Sequence, residues 1–505
     1  MVYDKYCETI YSNLHVDPSR YLTLPSFSYD YIIDKAIEKS NNEIYLLKDF
    51  VLEKFVRNSV VGGRCFVQKS YFQTQHYDEF QQWKQLTEYL KHELYSKVDD
   101  SLVDLDTNSL YPSAMKLFKY PIGVPDVLGV EEFDRVKDSL NSNNYKYLSI
   151  VECDMSFTNV ANQCTPLVSV VCKEGNRIFD FTSKKNIVLS SVDIEESVKY
   201  NNARIDKIHN VVEWKKTEFL FKESIENLFE LRKKNKTNSL GHAMKLYMNS
   251  SYGKMIMKIV DSSIKIFDDN DKFEDCLIQG NVKGFNVMNE TQVFAEVKNK
   301  ITTNYIKNPS YLGVFILFYS KRIMNTAIHS ISGFTNWNNT FYYTDTDSMI
   351  IKQSLLEQIK NTQVKYDTME PISLFGDELG QMHNDLDLKN SKIIKGIWIR
   401  PKCYILEYIG YDKKTNELKK LHHVRSKGIN TKYLHYIPEK ELIQTYEKLL
   451  YGESQKYENI PRFQRFWKDG DGCGIKTVYE TKEINKIIWK GRIYDSANKL
   501  WKPII

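Results

Sequence analysis

No apolar run in this chain approaches the roughly 20 residues that a membrane-spanning helix needs. The first residues, Met1-Val2-Tyr3-Asp4-Lys5, carry no apolar leader core either. The expectation is a chain that stays inside the cell and is not secreted; cytoplasm, virus factory, nucleus and mitochondrion are all compatible with it. Cysteine is sparse and unpaired in sequence. The eight cysteines, at 7, 65, 153, 164, 172, 276, 403 and 473, form no CxxC pair, which argues against a zinc site. Without a leader, reduced thiols are the simpler reading than disulfides. Strong charge of one sign is missing too. A net charge of +5 excludes histone-like basicity, so any nucleic acid must be held by local basic surfaces. Repeats and long low-complexity tracts are absent.

What is present is a chain of 505 residues, long enough for several subdomains around a large core. Residues 1 to about 60 mix Tyr-rich helical text with the breakers Pro18 and Pro25. The pattern predicts a polar helix over 76–98 and strands within 146–190. It predicts helices over 218–255, interrupted at an N-cap near Asn238-Ser239. Strands and loops are expected over 256–300, and an apolar helix over 313–330. The last hundred residues are basic and aromatic, broken at Gly470-Asp471-Gly472-Cys473-Gly474. An α+β fold follows.

Three short stretches carry the chemistry. In Asp104-Leu105-Asp106-Thr107-Asn108-Ser109-Leu110-Tyr111-Pro112 the two aspartates alternate with apolar residues, so a strand puts both on one face. In Tyr343-Thr344-Asp345-Thr346-Asp347-Ser348 a tight hairpin gives Asp345 and Asp347 a shared face, where a divalent cation would relieve their repulsion. In Lys245-Leu246-Tyr247-Met248-Asn249-Ser250-Ser251-Tyr252-Gly253 a helix lines Lys245, Asn249 and Tyr252 along one stripe, suited to phosphate, base and sugar. Arg232 and Lys236 form a second cationic pair upstream. Each stretch alone also reads as a solvated strand end, a polar hairpin tip or a solvated helix face. Together, in this order, they describe metal-assisted nucleotidyl transfer.

The set resembles the family B DNA polymerases, in the protein-primed branch of phages, adenoviruses and linear plasmids. Residues 106–112, 245–253 and 343–348 match that family's motifs A, B and C, and Lys402-Cys403-Tyr404 looks like its Lys-x-Tyr motif. The resemblance implies a right-hand fold with a palm of antiparallel sheet plus helices, and helical fingers and thumb. It makes Asp106 and Asp347 the main ligands of two Mg2+ ions, for which Mn2+ can substitute, with Asp345 in support and the Thr107 carbonyl completing one shell. Lys245 and Arg232 would hold the triphosphate. Tyr111, with Ser109 and Leu110 beside it, would lie under the sugar and exclude a 2′-hydroxyl by bulk. Asn249 and Tyr252 would shape the nascent base-pair pocket. Lys402 and Tyr404 would steady the primer, and Lys427 resembles a later basic element. Asp104 shares the face of Asp106 but lies outside the motif. Gly62-Gly63 resembles the element ahead of the polymerase module, with valine where a tyrosine is usual.

The implied organisation is an N-terminal segment at 1–75, a first palm part at 76–215, fingers at 216–255, a second palm part at 256–400, and thumb from 401 to 505. Intervals of 139 positions from Asp106 to Lys245 and 100 from Lys245 to Asp345 leave room for two insertions. The first, about 125–215, would dock a terminal protein; the second, about 258–305, would support processivity. Only 105 residues precede Asp106, too few for the branch's proofreading exonuclease, so none is expected on this chain. The triplet Asp193-Ile194-Glu195 reads as a surface helix. Expected partners are primer-template DNA, deoxynucleoside triphosphates, a terminal protein and a separate exonuclease polypeptide. DNA affinity is expected from 232–236, 392–402 and 413–427. The rival readings are a catalytically silent DNA-binding remnant, one subunit of a split polymerase, and a polymerase that copies or makes RNA.

Overall fold

Leu102, Val103, Leu105 and Thr107 are buried while Asp104 and Asp106 are only half-buried, so the expected alternation holds along one strand. That strand sits inside the largest sheet among the described residues. The computed structural model describes residues 2–158, 165–171, 177–258, 262–290, 292–298, 306–331, 340–429, 431–434, 437–469, 472–484, 492–495 and 500–503. Cys164, Cys172, Gly470 and Asp471, named above, lie outside the described residues. Of the other cysteines, Cys7, Cys65, Cys153, Cys276 and Cys403 are free thiols. Among the described residues no helix is long and apolar enough to cross a membrane.

The chain divides into two compact units. One comprises Met1–Val60, Lys119–Asp126 and Trp214–Ile316; the other comprises Val61–Phe118, Val127–Glu213 and Leu317–Ile505. The second unit is built on a nine-stranded sheet, whose strands in chain order are β1 (Cys65–Val67), β2 (Tyr71–Gln73), β3 (Leu102–Thr107), β4 (Phe341–Asp345), β5 (Ser348–Lys352), β6 (Met382–Asn384), β7 (Lys389–Arg400), β8 (Cys403–Tyr411) and β9 (Leu418–Ser426). Their order across the sheet is β1-β4-β5-β3-β7-β8-β9, with β6 also paired to β3 and β2 to β7. Pairing is antiparallel throughout the main path, so short turns can place sequence-distant carboxylates side by side.

Apolar residues cover both faces of the sheet. Val67, Phe72, Leu102, Tyr342, Ile350, Trp398 and Leu406 pack on one side. Ile397, Ile405 and Val424 pack against Leu442, Tyr446 and Leu449 of helix Glu439–Leu450. A separate four-stranded sheet occupies 126–214, and its long strands Leu148–Phe157 and Ala203–Trp214 bury Val151, Cys153, Ile205 and Val211 against helices Phe133–Asn141 and Ser191–Asn201. Helix Ser310–Ser330 is apolar nearly all round, as an internal helix must be. Phe118, at the end of the helix that follows β3, stacks on its Tyr319 at 4.2 Å.

The Asp193-Ile194-Glu195 triplet corrects the surface reading. Asp193 is buried, and Lys321 on helix Ser310–Ser330 lies 2.7 Å from it. Glu195 and Glu196 hold Arg322 at 2.7 and 3.2 Å. The acids look like surface residues in sequence because their cationic partners lie more than a hundred positions away. Burial is tolerated because each charge is paired. Two further differences are local. Residues 76–98 form not one helix but Tyr77–Phe80, a 3-10 turn at Trp83–Gln85, and Glu88–Lys97, because Phe80 and Trp83 stack at 5.9 Å inside a core cluster. The 256–300 region holds helix Asn270–Ile278 against a three-stranded sheet.

His329, near the end of the same long helix, gives a pH prediction. Burial pulls its imidazole down to about 3, Asn325's carbonyl accepts its Nδ1–H at 2.7 Å, and its ring stacks on Tyr200 at 3.9 Å. The unfolded chain therefore binds the extra proton below pH about 6.5, and stability falls as pH drops from there toward 3. At pH 5 this group alone is expected to cost about 2 kcal/mol relative to pH 7.5. Urea midpoints of the wild type and His329→Gln at both pH values check it: the acid loss should shrink in the variant.

Candidate active site

The β4–β5 turn is the focus of the second unit. Thr346 there has φ +63, a left-handed conformation that a β-branched residue rarely adopts. Its N–H donates to the Arg64 carbonyl at 2.9 Å, and Gly63 packs directly on it. Asp347 N–H donates to the Asp345 carbonyl at 2.7 Å, closing the turn. The Thr107 N–H then donates to the Asp347 carbonyl at 2.8 Å, and Ser348 is paired with Asp106 across β5 and β3. Backbone bonds thus carry the two aspartate stretches, more than two hundred residues apart, to one place.

Ser109 also has a left-handed φ, +47, and caps helix Leu110–Leu117, in which Leu110 is buried and Tyr111 half-buried. Lys402, φ +60, is the third such residue here. Strained non-glycine backbone at three neighbouring positions is the kind of feature that surrounding structure retains at functional sites.

A cleft of about 670 Å³ opens over these turns, lined among others by Asp104, Asp106, Asp345, Asp347, Asp385, Asp387, Lys402, Tyr404 and Arg425. Six carboxylates face two permanent cations, which makes the cleft a strong attractor of divalent ions. Asp345 is occupied by protein: Lys402 Nζ and Cys65 Sγ each donate to it at 2.7 Å, and Tyr343 OH at 3.2 Å. Asp347 is not held that way. Burial, then Asp345 and Asp385, raise its carboxyl above the ordinary value. Asp104 is pushed up to about 7 by burial, then by Asp385, Asp347 and Asp345, and its Oδ1 is sealed from solvent without a hydrogen-bond partner. Burial, then Asp345, lifts the Cys65 thiol to about 12, so it is no thiolate nucleophile. Burial lowers the Lys402 ammonium, but the bond to Asp345 and the acids around it more than offset that. The cleft therefore accepts cations and offers no activated nucleophile of its own.

Of the residues singled out in sequence, Asp106, Asp345, Asp347, Lys402 and Tyr404 share this cleft. Tyr404 rests against Tyr343 and His423 at 5.1 and 5.9 Å. The Lys427 N–H donates to the Lys402 carbonyl at 2.8 Å, and its side chain is exposed. Arg232, Lys245, Asn249 and Tyr252 belong to the first unit. There Asn238 caps helix Ser239–Met255 by accepting from Gly241 N–H at 3.1 Å, and Met244, Tyr247, Met248 and Met255 form its buried side. Lys245 is exposed, Asn249 and Tyr252 are half-buried, and Asn249 Nδ2 donates to the Lys245 carbonyl at 3.0 Å. Arg232 lies 6.0 Å from the Phe229 ring centroid.

Part of the expected DNA-binding surface is spent internally. Lys392 donates to the Tyr95 and Val98 carbonyls, and Lys395, only 5 % exposed, is paired with Glu447 at 2.6 Å. Lys419 and Lys420 pair with Asp412 and Glu407. These cations anchor elements of the fold rather than face a ligand. Sequence reading missed Cys65, His383, Asp385 and Asp387. The last three sit on or beside β6, too short for any periodicity to show.

Residues 88–334 match the sequence family described as DNA polymerase type B, organellar and viral. The Uncharacterized protein 075R of Invertebrate iridescent virus 3 is 26% identical over 152 residues, covering 28% of this chain and 82% of that protein. Among solved structures, Phi29 DNA polymerase complexed with primer-template DNA superposes with TM-score 0.58 at 15% identity, over 92% of this chain and 68% of that one. Its complex with primer-template DNA and incoming nucleotide substrates gives TM-score 0.57 at 17% identity, over 92% and 67%. The fold is thus the α+β right-hand polymerase fold. The matched residues, just under half of the chain, include the whole first aspartate stretch and the Lys245 helix, and over them the chain is similar to the type B DNA polymerases.

Proposed function

We propose that this chain extends a primer 3′-hydroxyl on a DNA template with deoxynucleotides, using Asp106, Asp347 and the Thr107 carbonyl to hold two Mg2+ ions. The observation that carries the proposal is the tie between β3 and the β4–β5 turn, which sets Asp106 and Asp347 in one cleft. Hard carboxylate oxygens and a sealed, unpartnered Asp104 Oδ1 beside them suit hard divalent cations. When bound, such ions lower the hydroxyl's pKa and stabilise the pyrophosphate leaving group.

The protein's own groups do the positioning. Asp345 holds Lys402 at the rim, where an ammonium meets the primer backbone, and Tyr404 stiffens that strand. Tyr111 stands at the first turn of its helix as the sugar gate. Lys245 and Arg232 bind the triphosphate, and Asn249 and Tyr252 bound the base-pair pocket. Gly62-Gly63 and Lys427 flank the path of the DNA. Priming by a terminal-protein hydroxyl is supported by the insertion at about 125–215, which folds a sheet and buried core of its own. Replication of a linear viral or plasmid-like DNA fits the same reading, with any exonuclease supplied by a separate polypeptide.

Primer extension on DNA and RNA templates, with Mg2+, with Mn2+ and with chelator, tests this. DNA-templated, cation-dependent addition of deoxynucleotides is expected; DNA binding without any addition would leave the silent remnant standing. In the same assay Tyr111→Val is expected to raise ribonucleotide use by about tenfold or more, since only ring bulk opposes the 2′-hydroxyl. Unchanged sugar discrimination would remove Tyr111 from the gate.

A further inference from the structure

A histidine whose Nδ1 has no hydrogen-bond partner stands beside the acidic cleft, next to Asp106 and Asp385 of its lining. β6 lies antiparallel beside β3, with His383 directly opposite Asp106, so the two side chains share a face of the sheet. Asp385 follows, its N–H donating to the Asp104 carbonyl at 3.4 Å. One ligand atom from each of Asp106, His383 and Asp385 lies within 4.8 Å of the others. Donors bound to one ion at about 2.0–2.2 Å lie roughly 3–4 Å apart, so a small side-chain adjustment closes the set.

Two facts separate this from an ordinary ion pair. His383 Nδ1 is buried without a hydrogen-bond partner. Nε2 stands 3.8 Å from Asp385 Oδ1, beyond hydrogen-bond reach. An imidazole nitrogen that no protein group engages is a donor atom open to a cation. Beside it, Asp104 Oδ1 is likewise sealed and unpartnered, a further acceptor turned into the same cleft.

We propose that Asp106, His383 and Asp385 form a binding position for a divalent transition-metal ion. Imidazole nitrogen is a poor ligand for Mg2+ and Ca2+ and a good one for the transition series, so the position selects by donor type. Asp106 is common to this position and to the proposed Mg2+ set, and the selectivity is that of the same cleft. The inference stands on the His383–Asp106 pairing and does not require that the chain polymerise.

Mn2+ alone, added to the purified full chain without DNA, is the probe. Electron paramagnetic resonance titration gives its affinity, and pulsed measurements report nitrogen-14 coupling from any bound imidazole. Coupling is expected in the wild type and lost in His383→Gln, with Mn2+ affinity down about tenfold or more. Affinity for Mg2+, read by competition, should change far less. His383→Glu, which exchanges nitrogen for oxygen, should bind Mn2+ without nitrogen coupling and guards against a folding defect in the glutamine variant. Wild type without nitrogen coupling would overturn the proposal. So would coupling that survives in His383→Gln, which would point to His423 across the cleft. Asp347→Asn separates the two readings: it should stop incorporation while the nitrogen signal persists.

Discussion

Asp347→Asn is expected to lower single-nucleotide incorporation by about a thousandfold or more while leaving DNA binding nearly intact. The substitution keeps shape and removes charge. What ties Asp347 to β3 is its main-chain carbonyl, which accepts from the Thr107 N–H, so the turn survives the change. What is lost is a carboxylate that protein leaves available, unlike Asp345, which Lys402 and Cys65 already engage. Duplex affinity rests on phosphate contacts with cations, so removing one anion from the cleft should if anything raise it slightly. Rapid-quench incorporation beside fluorescence anisotropy reads both quantities. Near-normal incorporation by the variant would exclude Asp347 from the metal set.

Gly63→Ala should be nearly as damaging although it touches no substrate. A Cβ there would sit 2.6 Å from Thr346 Cγ2 and 2.9 Å from Thr346 Cα. The side chain can turn away; the Cα cannot. Thr346 is already strained and stands between Asp345 and Asp347, so the displaced atom carries both carboxylates with it. A shift near 1 Å at reacting groups costs about a hundredfold in rate. Gly62→Ala is the control, because its Cβ would meet nothing within 4 Å. The expected result is kcat down about a hundredfold for Gly63→Ala and close to wild type for Gly62→Ala, at similar melting temperatures. Equal activity of the two variants would mean that the turn accommodates the methyl group.

How much was legible in the sequence depends on how far each signal had to reach. The alternation of Leu102–Thr107 and the hairpin at 343–348 are local patterns, and the structure keeps them. The Asn238 cap is equally local, one side chain satisfying an N–H three residues on. Residues whose meaning comes from a distant partner were not readable. Asp193 resembles any helix acid until Lys321 is beside it. Lys392 and Lys395 resemble DNA-binding lysines until carbonyls and Glu447 claim them. His383 belongs to a three-residue strand whose place is set by backbone bonds, including Asn108 N–H to the Gln381 carbonyl at 2.9 Å. No side-chain periodicity records such bonds.

The acid-to-base pairs joining helix Ser191–Asn201 to Lys321 and Arg322 bear on how this molecule can be cut or evolve. A body inserted between two motifs looks removable as a cassette. Excising 127–213 would leave an ammonium and a guanidinium on an otherwise oily helix without the carboxylates that pair with them here, at several kcal/mol each. A lineage shedding that body would first have to replace both cations with apolar side chains. The same order of steps applies to anyone seeking a minimal version.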